Sequence, residues 1–271
     1  MFDGFSSELI DTAETRIIVR RAGSGPPVLL LHGFPQTHLM WRDVAPLLAR
    51  EFTVVCADLR GYGKSGCPPS TADHHAYTKR AMAADMVSVM ARLGFSRFSV
   101  AGHDRGGRVA YRLALDHPEQ AMRVAVLDVL PTEVAWTHAD ARFALGYWPW
   151  AVLAQPSPLP EQVLTKNAEA VVDNALDTWD HGYARRPWRY VVSMSRRCAI
   201  LLMRARSARS IVREQLSTER TTKPMSQLAA ASAAHCSPCG ARTDRSTPGI
   251  RLSPVHSHFG GNGPMTFAGE Q

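Results

Sequence analysis

The sequence predicts an α/β fold in which a mostly parallel sheet carries helices on both faces. Over the first 130 residues, short runs of β-forming residues alternate with longer segments of helical periodicity, which is typical of this class. Several of the short runs are apolar almost throughout, among them Val28–Leu31 and Thr53–Ala57. Such runs indicate strands that are covered on both faces.

The predicted elements follow one another in the order that this class requires. Two strands come first, and a Gly-Pro-Pro turn precedes the second of them. Apolar residues at helical spacing then predict a helix between residues 41 and 48. The predicted elements are strands Arg16–Arg20 and Val28–Leu31, the helix at 41–48, strand Thr53–Ala57, helix Arg80–Leu93, strand Phe98–Ala101, helix Arg108–Leu115 and strand Arg123–Leu130.

The chain divides into three segments by composition. Residues 1–130 form the predicted core, and residues 131–194 are Trp-rich, Pro-broken and helix-favouring, which indicates a helical cap. Residues 195–271 hold 10 Arg and 10 Ser but no Trp or Tyr, and they carry 11 basic against 4 acidic residues. The whole excess charge of +7 therefore lies in this last segment, since residues 1–194 are balanced at 20 against 20.

Composition also bounds the functional class. The 271 residues are 45% apolar but contain no run near the roughly 20 apolar residues of a membrane span, and the start lacks the features of a secretory signal. The five scattered cysteines do not form a disulfide framework. We therefore expect a cytoplasmic protein that does not bind membranes.

One short motif carries most of the chemistry. Gly102-His103-Asp104-Arg105-Gly106 follows a predicted strand and precedes a predicted helix. This is the pattern of a nucleophile elbow, in which glycines allow a tight strand-to-helix turn around a reactive residue, here Asp104. The amino terminus of the following helix favours anions beside that residue.

Several separated motifs resemble those of the α/β hydrolases and, within that fold, the haloacetate (fluoroacetate) dehalogenases. The motifs are His32-Gly33-Phe34-Pro35-Gln36, Asp58-Leu59-Arg60-Gly61-Tyr62-Gly63-Lys64-Ser65, the elbow through Arg108, and Leu115-Asp116-His117-Pro118. The resemblance covers about residues 10–195 and implies an eight-stranded, mostly parallel sheet with a helical cap. It implies no metal site and no cofactor.

The resemblance assigns roles to the residues of the elbow. Asp104 matches the nucleophile that displaces halide from the α-carbon of a haloacid, forming an aspartyl ester that water hydrolyses. Arg105 and Arg108 match the pair that binds the substrate carboxylate, a task suited to planar, permanently charged guanidinium groups. Epoxide hydrolases resemble the chain at the elbow but usually place Trp after the nucleophile.

Other matched residues lie outside the elbow. Asp128 matches the acid that orients the catalytic histidine, and we expect it to need a partner because it ends an apolar strand. The backbone N–H of Phe34, with that of Arg105, matches the oxyanion hole. His32 is expected to be structural. Trp150 and Trp179 match indoles that contact the halide. The alternative is that both side chains only pack within the cap.

The sequence departs from the family at two places. Pro149 stands in Tyr147-Trp148-Pro149-Trp150 where the family usually has His, which removes a hydrogen-bond donor to the leaving halide. By the family's spacing the catalytic histidine would fall just beyond Gln271. We interpret residues 195–271 as the product of a frameshift, with a disordered basic tail or a divergent folded segment as alternatives.

We therefore expect a hydrolase that removes halide from a short 2-haloacid. The alternatives are an epoxide hydrolase, or a catalytically defective remnant that binds carboxylates. Cys236, Cys239, His256 and His258 lack the spacing of a usual zinc site, and the tail arginines lack the aromatic residues of a nucleic-acid module. We expect no metal and no nucleic-acid partner, and a homodimer is compatible with the resemblance.

Overall fold

A computed structural model of the chain describes residues 2–69, 75–156 and 158–179. In these residues six strands form one sheet in the order β1-β2-β4-β3-β5-β6. Strands β1, β2 and β4 pair antiparallel, whereas β4, β3, β5 and β6 run parallel, which confirms the predicted α/β class. The strands are β1 Ser6–Asp11, β2 Arg16–Ala22, β3 Pro27–Leu31, β4 Thr53–Ala57, β5 Phe98–His103 and β6 Ala121–Leu127.

Strand β1 was not predicted from the sequence. Its residues read SSELID, and among them only Ile10 is buried. The strand is therefore at an edge, held by its pairing with β2 rather than by an apolar run. The predicted strands at β2, β3, β4 and β5 are confirmed, with ends that differ by up to two residues.

The described helices fall into two groups. Helices α2 and α3 pack against the sheet, and their apolar residues, such as Met86 and Val109, belong to the main core together with the side chains of β3 and β4. Five further helices follow Pro131 in the segment predicted to be the cap. The helices are α1 Ala45–Leu48, α2 Lys79–Arg92, α3 Arg105–Asp116, α4 Thr132–Thr137, α5 Ala141–Gly146, α6 Trp148–Leu153, α7 Leu159–Lys166 and α8 Ala168–Trp179.

The helix predicted between residues 41 and 48 is wrong as a single element. A 3₁₀ turn spans His38–Trp41, and α1 begins only at Ala45. Trp41 is buried as expected, but Val44 and Leu47 are exposed. The apolar spacing was therefore produced partly by surface residues, and Pro46 sets the start of the second turn.

Strand β6 also differs from its prediction. It ends at Leu127 instead of Leu130, and most of its residues are exposed, including Val124 and Val126. Its apolar composition predicted a strand covered on both faces. In the described part of the chain β6 lies at the edge of the sheet, with pairing only to β5, which accounts for the exposure.

Some predictions fall outside the described residues. These are the last part of the cap at 180–194, the interpretation of residues 195–271, and the candidate ligands Cys236, Cys239, His256 and His258. Among the described helices, none is long and apolar enough to cross a membrane.

Candidate active site

The elbow places Asp104 between β5 and α3. His103 ends the strand, Arg105 begins the helix, and Asp104 between them has φ of 47°. A side chain at Gly102 would collide with the backbone of Gly106, and a Cβ at Gly106 would lie 2.5 Å from the carbonyl oxygen of His32. The turn therefore requires both glycines, as the motif predicted.

Both carboxylate oxygens of Asp104 accept hydrogen bonds. The backbone N–H of Phe34 donates to Oδ2 at 2.9 Å, and Arg108 Nη1 donates to Oδ1 at 2.9 Å. Burial alone would raise the pKa of this carboxyl. The charges of Arg108 and Arg105, with the Phe34 amide, outweigh burial and hold the pKa of Asp104 below its ordinary value.

The two predicted arginines occupy different positions. Arg105 lines the cavity described below, with its guanidinium carbon 5.6 Å from the centre of the Phe34 ring. Arg108 lies outside the lining, 4.7 Å from the centre of the Trp150 ring, and binds Asp104. Burial lowers the pKa of Arg108, although an arginine remains charged at neutral pH.

Each arginine has a buried nitrogen that makes no hydrogen bond to a described residue. Arg105 Nη1 and Arg108 Nε are buried and have no hydrogen-bond partner among the described residues. Buried donors are rarely left unpaired, because the loss of their hydration is costly. Two such donors on permanently charged groups beside Asp104 indicate a site for an anion with more than one acceptor atom.

A cavity of about 370 Å³ opens above the elbow. Its floor is formed by the elbow and the loop after β3, and its roof comes from α6 and α8 of the cap segment. The lining residues are Phe34, Pro35, Gln36, Met40, His103, Asp104, Arg105, Asp128, Tyr147, Pro149, Trp150, Leu153 and Ala175. In the described ranges no cluster of three or more His, Cys, Asp or Glu side chains could hold a metal ion.

Asp128 lies at the same cavity, one residue beyond β6, with φ of 48°. Its side chain is 73% exposed, and its Oδ2 lies 3.7 Å from His103 Nε2. Asp128 is exposed because β6 is at the edge of the described sheet. Its role in orienting a catalytic histidine stays a prediction. His103 itself was not predicted as a cavity residue, although its place beside Asp104 in the elbow motif could have indicated it.

Aromatic residues of the cap segment surround one side of the cavity. Trp150 packs with Trp136 and Phe143, and Tyr147 stacks on Phe143. Burial raises the pKa of the Tyr147 phenol, which keeps it protonated. Pro149 lies in the first turn of α6 and lines the cavity without a donor.

Of the predicted halide-contacting indoles, Trp150 lines the cavity. Trp179 is the last residue of α8, and its side chain lies outside the described part of the structure.

A buried pair of hydrogen-bonded side chains, Asp58 and His38, supports the loop that carries the Phe34 amide. Asp58 Oδ1 accepts hydrogen bonds from the backbone N–H and Nδ1 of His38, at 2.6 and 2.8 Å. His32 is buried and its Nε2 accepts the N–H of Leu59 at 3.0 Å, so its predicted structural place agrees with these contacts. No role for Asp58 or His38 was predicted from the sequence.

The chain is similar to known proteins that share this fold. Residues 26–189 match the family described as the α/β hydrolase fold. The chain belongs to that family. Over 179 residues it is 50% identical to a fluoroacetate dehalogenase from Burkholderia sp., a match that covers 66% of the chain and 59% of the relative. Over 110 residues it is 44% identical to a soluble epoxide hydrolase from Corynebacterium sp., covering 41% and 37%.

Solved structures show the same fold. A protein classed as an α/β hydrolase from Nostoc sp. PCC 7120 superposes with a TM-score of 0.73 at 41% identity, covering 82% of this chain and 79% of that one. A mutant of a protein classed as an epoxide hydrolase from Pseudomonas aeruginosa, with bound MFA, gives 0.74 at 38% identity, covering 85% and 75%. The matches to the curated relatives span less than two thirds of those proteins.

Proposed function

We propose that this α/β hydrolase removes halide from a short 2-haloacid. The observation that carries the proposal is the buried Arg105 Nη1 at the cavity beside the Asp104 carboxylate, which has no hydrogen-bond partner in the described part of the chain. A guanidinium in this position suits a substrate carboxylate one bond from the reacting carbon. The identity of 50% to a fluoroacetate dehalogenase supports the same substrate class.

The first step uses Asp104 as the nucleophile. A carboxylate with a lowered pKa is ionised at neutral pH without a general base. One of its oxygens attacks the α-carbon, the new C–O bond forms as the carbon–halogen bond breaks, and the halide leaves with the bonding electron pair. Arg105 orients the carboxylate of the haloacid so that this carbon faces Asp104.

The second step hydrolyses the aspartyl ester. Water attacks the ester carbonyl carbon and loses a proton to a general base, and the carbonyl oxygen then carries negative charge that the Phe34 N–H can stabilise, since it already contacts Asp104 Oδ2. The bond between that carbon and the oxygen of the hydroxyacid then breaks, the 2-hydroxyacid leaves with the proton, and the Asp104 carboxylate is restored. In the proposal Asp128 orients the histidine that activates this water. Among the described residues, His103 is a histidine that lies near Asp128, with its Nε2 3.7 Å from Asp128 Oδ2.

The halide pocket is assigned to the cap segment. Trp150 lines the cavity. The resemblance adds Trp179 to the residues that would contact the halide. Pro149 offers no donor there, so the strongly hydrated fluoride ion loses more stabilisation than chloride or bromide. We therefore propose that chloroacetate and bromoacetate are better substrates than fluoroacetate.

Epoxide hydrolysis is the second candidate, and Tyr147 favours it. Its protonated phenol lines the cavity that contains Asp104 and could donate a proton to an opening epoxide oxygen. The matches to epoxide hydrolases support the same reading. Arg105 argues against it, because an epoxide has no carboxylate to occupy a buried guanidinium.

Parallel assays separate the candidates. Halide release from chloroacetate and diol formation from styrene oxide are measured on the full chain, with Asp104→Asn as the inactive control for both. The proposal predicts halide release, and its loss when Arg105 is replaced by Met. Diol formation that survives Arg105→Met, without halide release, would establish the epoxide reaction instead, and binding of acetate without either product would establish a carboxylate-binding protein.

A further inference from the structure

Arg108 contacts the nucleophile directly, and the proposed reaction gives this contact no role. Arg108 Nη1 donates to Asp104 Oδ1, while the Phe34 amide donates to Oδ2, so both nucleophilic oxygens are engaged before substrate enters. A hydrogen bond from a charged donor stabilises the carboxylate and lowers its basicity. In this arrangement Asp104 is a restrained nucleophile.

A haloacid brings a second negative charge to the same place. Its carboxyl carbon is bonded directly to the carbon that Asp104 attacks, so the two carboxylates approach within a few ångströms of each other. Like charges at such a distance in a partly buried site repel strongly. Of the described residues, Arg108 brings its positive charge nearest to Asp104, and within the same residues its Nε has no hydrogen-bond partner.

We infer that Arg108 acts as a gate on Asp104 that the substrate's own carboxylate opens. The incoming carboxylate shares the Arg108 guanidinium, and its negative charge raises the basicity of Asp104, so the nucleophile is released only when a carboxylate is present. Trp150 stacks on the guanidinium and keeps it beside both anions. This inference rests on the proposed function for the identity of the natural anion.

The consequence is selection against neutral electrophiles. An alkyl halide or epoxide without a carboxylate leaves the bond between Arg108 and Asp104 intact, and it meets the restrained nucleophile. An anion that fills the arginine site without reacting should therefore activate Asp104 toward a small neutral reagent. Ordinary competition for the cavity predicts the opposite effect.

The test uses iodomethane as the neutral reagent and formate as the unreactive carboxylate. Methylation of Asp104 in the full-length chain is followed by peptide mass spectrometry, with and without saturating formate. We expect formate to accelerate methylation about tenfold, since hydrogen bonds to charged groups are among the strongest in proteins. Formate that slows methylation, or leaves it unchanged or undetectable, overturns the gate.

A variant provides a second readout. Arg108→Met should make methylation of Asp104 fast and independent of formate, while modification by bromoacetate becomes at least tenfold slower. Arg112→Met is the matched control, because Arg112 binds Asp116 four residues further along the same helix and should leave the formate effect unchanged. Loss of both modifications in a folded Arg108→Met protein would make Arg108 a simple positioning residue and overturn the gate.

The outcomes separate this inference from the proposed function. If bromoacetate esterifies Asp104 while formate has no effect on methylation, the dehalogenation proposal stands and the gate is wrong. If formate accelerates methylation while bromoacetate releases no bromide and leaves Asp104 unmodified, the gate stands and the proposed substrate is wrong.

Discussion

Asp104 is held by the Phe34 amide and by Arg108, in a turn that depends on two glycines. The two glycines of the elbow are a local requirement, so the spacing predicted the turn. The separation of Asp104 and Arg108 by four residues also permits their ion pair, which one helical turn brings into contact. The placement of Arg108 outside the cavity lining was not predictable, because it depends on the packing of Trp150 from a distant helix.

The binding of acetate, which cannot react, tests whether Arg105 belongs to the proposed carboxylate site. Arg105→Lys should weaken the binding of acetate about tenfold, because an ammonium group cannot reproduce the planar, two-pronged contact of a guanidinium. Calorimetric titration with acetate measures the change. Arg80→Lys is the control, since Arg80 pairs with Asp116 away from the cavity and is 43% exposed. Equal affinity in all three proteins would exclude Arg105 from the anion site.

We expect Asp58 to contribute to the unfolding free energy in a way that depends on pH. Burial alone would raise the pKa of Asp58, but its hydrogen bonds with His38 lower it, so the carboxylate is stabilised in the folded state. The contribution is full above the unfolded pKa of about 3.9 and is lost as the pH falls through the lower, folded pKa. Asp58→Asn should therefore cost about 2 kcal/mol of unfolding free energy at neutral pH.

Urea denaturation at two pH values measures this effect. The difference between Asp58→Asn and the parent should shrink as the pH falls below about 3.9. Asp43→Asn is the control, because Asp43 is 78% exposed and pairs with Arg42 at the surface. A destabilisation of Asp58→Asn that does not change with pH would show that the charge of Asp58 does not matter.

Among the elements, strands were predicted correctly where they are buried. The predictions failed where a strand forms through pairing with its neighbour and not through an apolar pattern in its own sequence. Strands β3 and β4 are buried on both faces, and their unbroken apolar runs were sufficient to predict them. Strand β1 has one buried residue and forms through pairing with β2, so its own sequence could not show it. The edge position of β6 likewise cannot be read from an apolar run.

The close packing of α3 against the strand ends predicts a large effect of a single methyl group. Gly106→Ala would place a Cβ 2.5 Å from the carbonyl oxygen of His32, and backbone on both sides must shift. We expect a loss of about 3 kcal/mol in unfolding free energy. Gly146→Ala is the matched control, since a Cβ there meets no described residue within 4 Å. Similar stabilities of the two variants in urea denaturation would contradict the described elbow.

The whole molecule exposes apolar residues on β6, which is an edge strand of the sheet in the described part of the chain. Met122, Val124 and Val126 are 40%, 36% and 41% exposed, and they lie on alternate positions of this strand. Such a surface favours association between chains. We expect the 271-residue chain to aggregate and to bind an apolar fluorescent dye.

Polar substitutions on this strand test that expectation. Met122→Gln combined with Val124→Thr should reduce dye binding and aggregation, measured by fluorescence and light scattering, with little change in unfolding free energy. Val55→Thr is the contrasting variant, because Val55 is fully buried in β4 and its replacement should destabilise the protein. Unchanged aggregation in the β6 variant would show that this face is covered in solution.

In the proposed reaction Asp104 becomes covalently linked to the carbon that loses halide. To test this, the full chain is exposed to bromoacetate in heavy-oxygen water, and the Asp104 peptide is mapped by mass spectrometry. We expect either a carboxymethyl ester on Asp104 or, where the ester is hydrolysed, one heavy oxygen in its carboxylate, together with released bromide. Bromide release with Asp104 unmodified and free of heavy oxygen would contradict it, because water would then have attacked the haloacid directly.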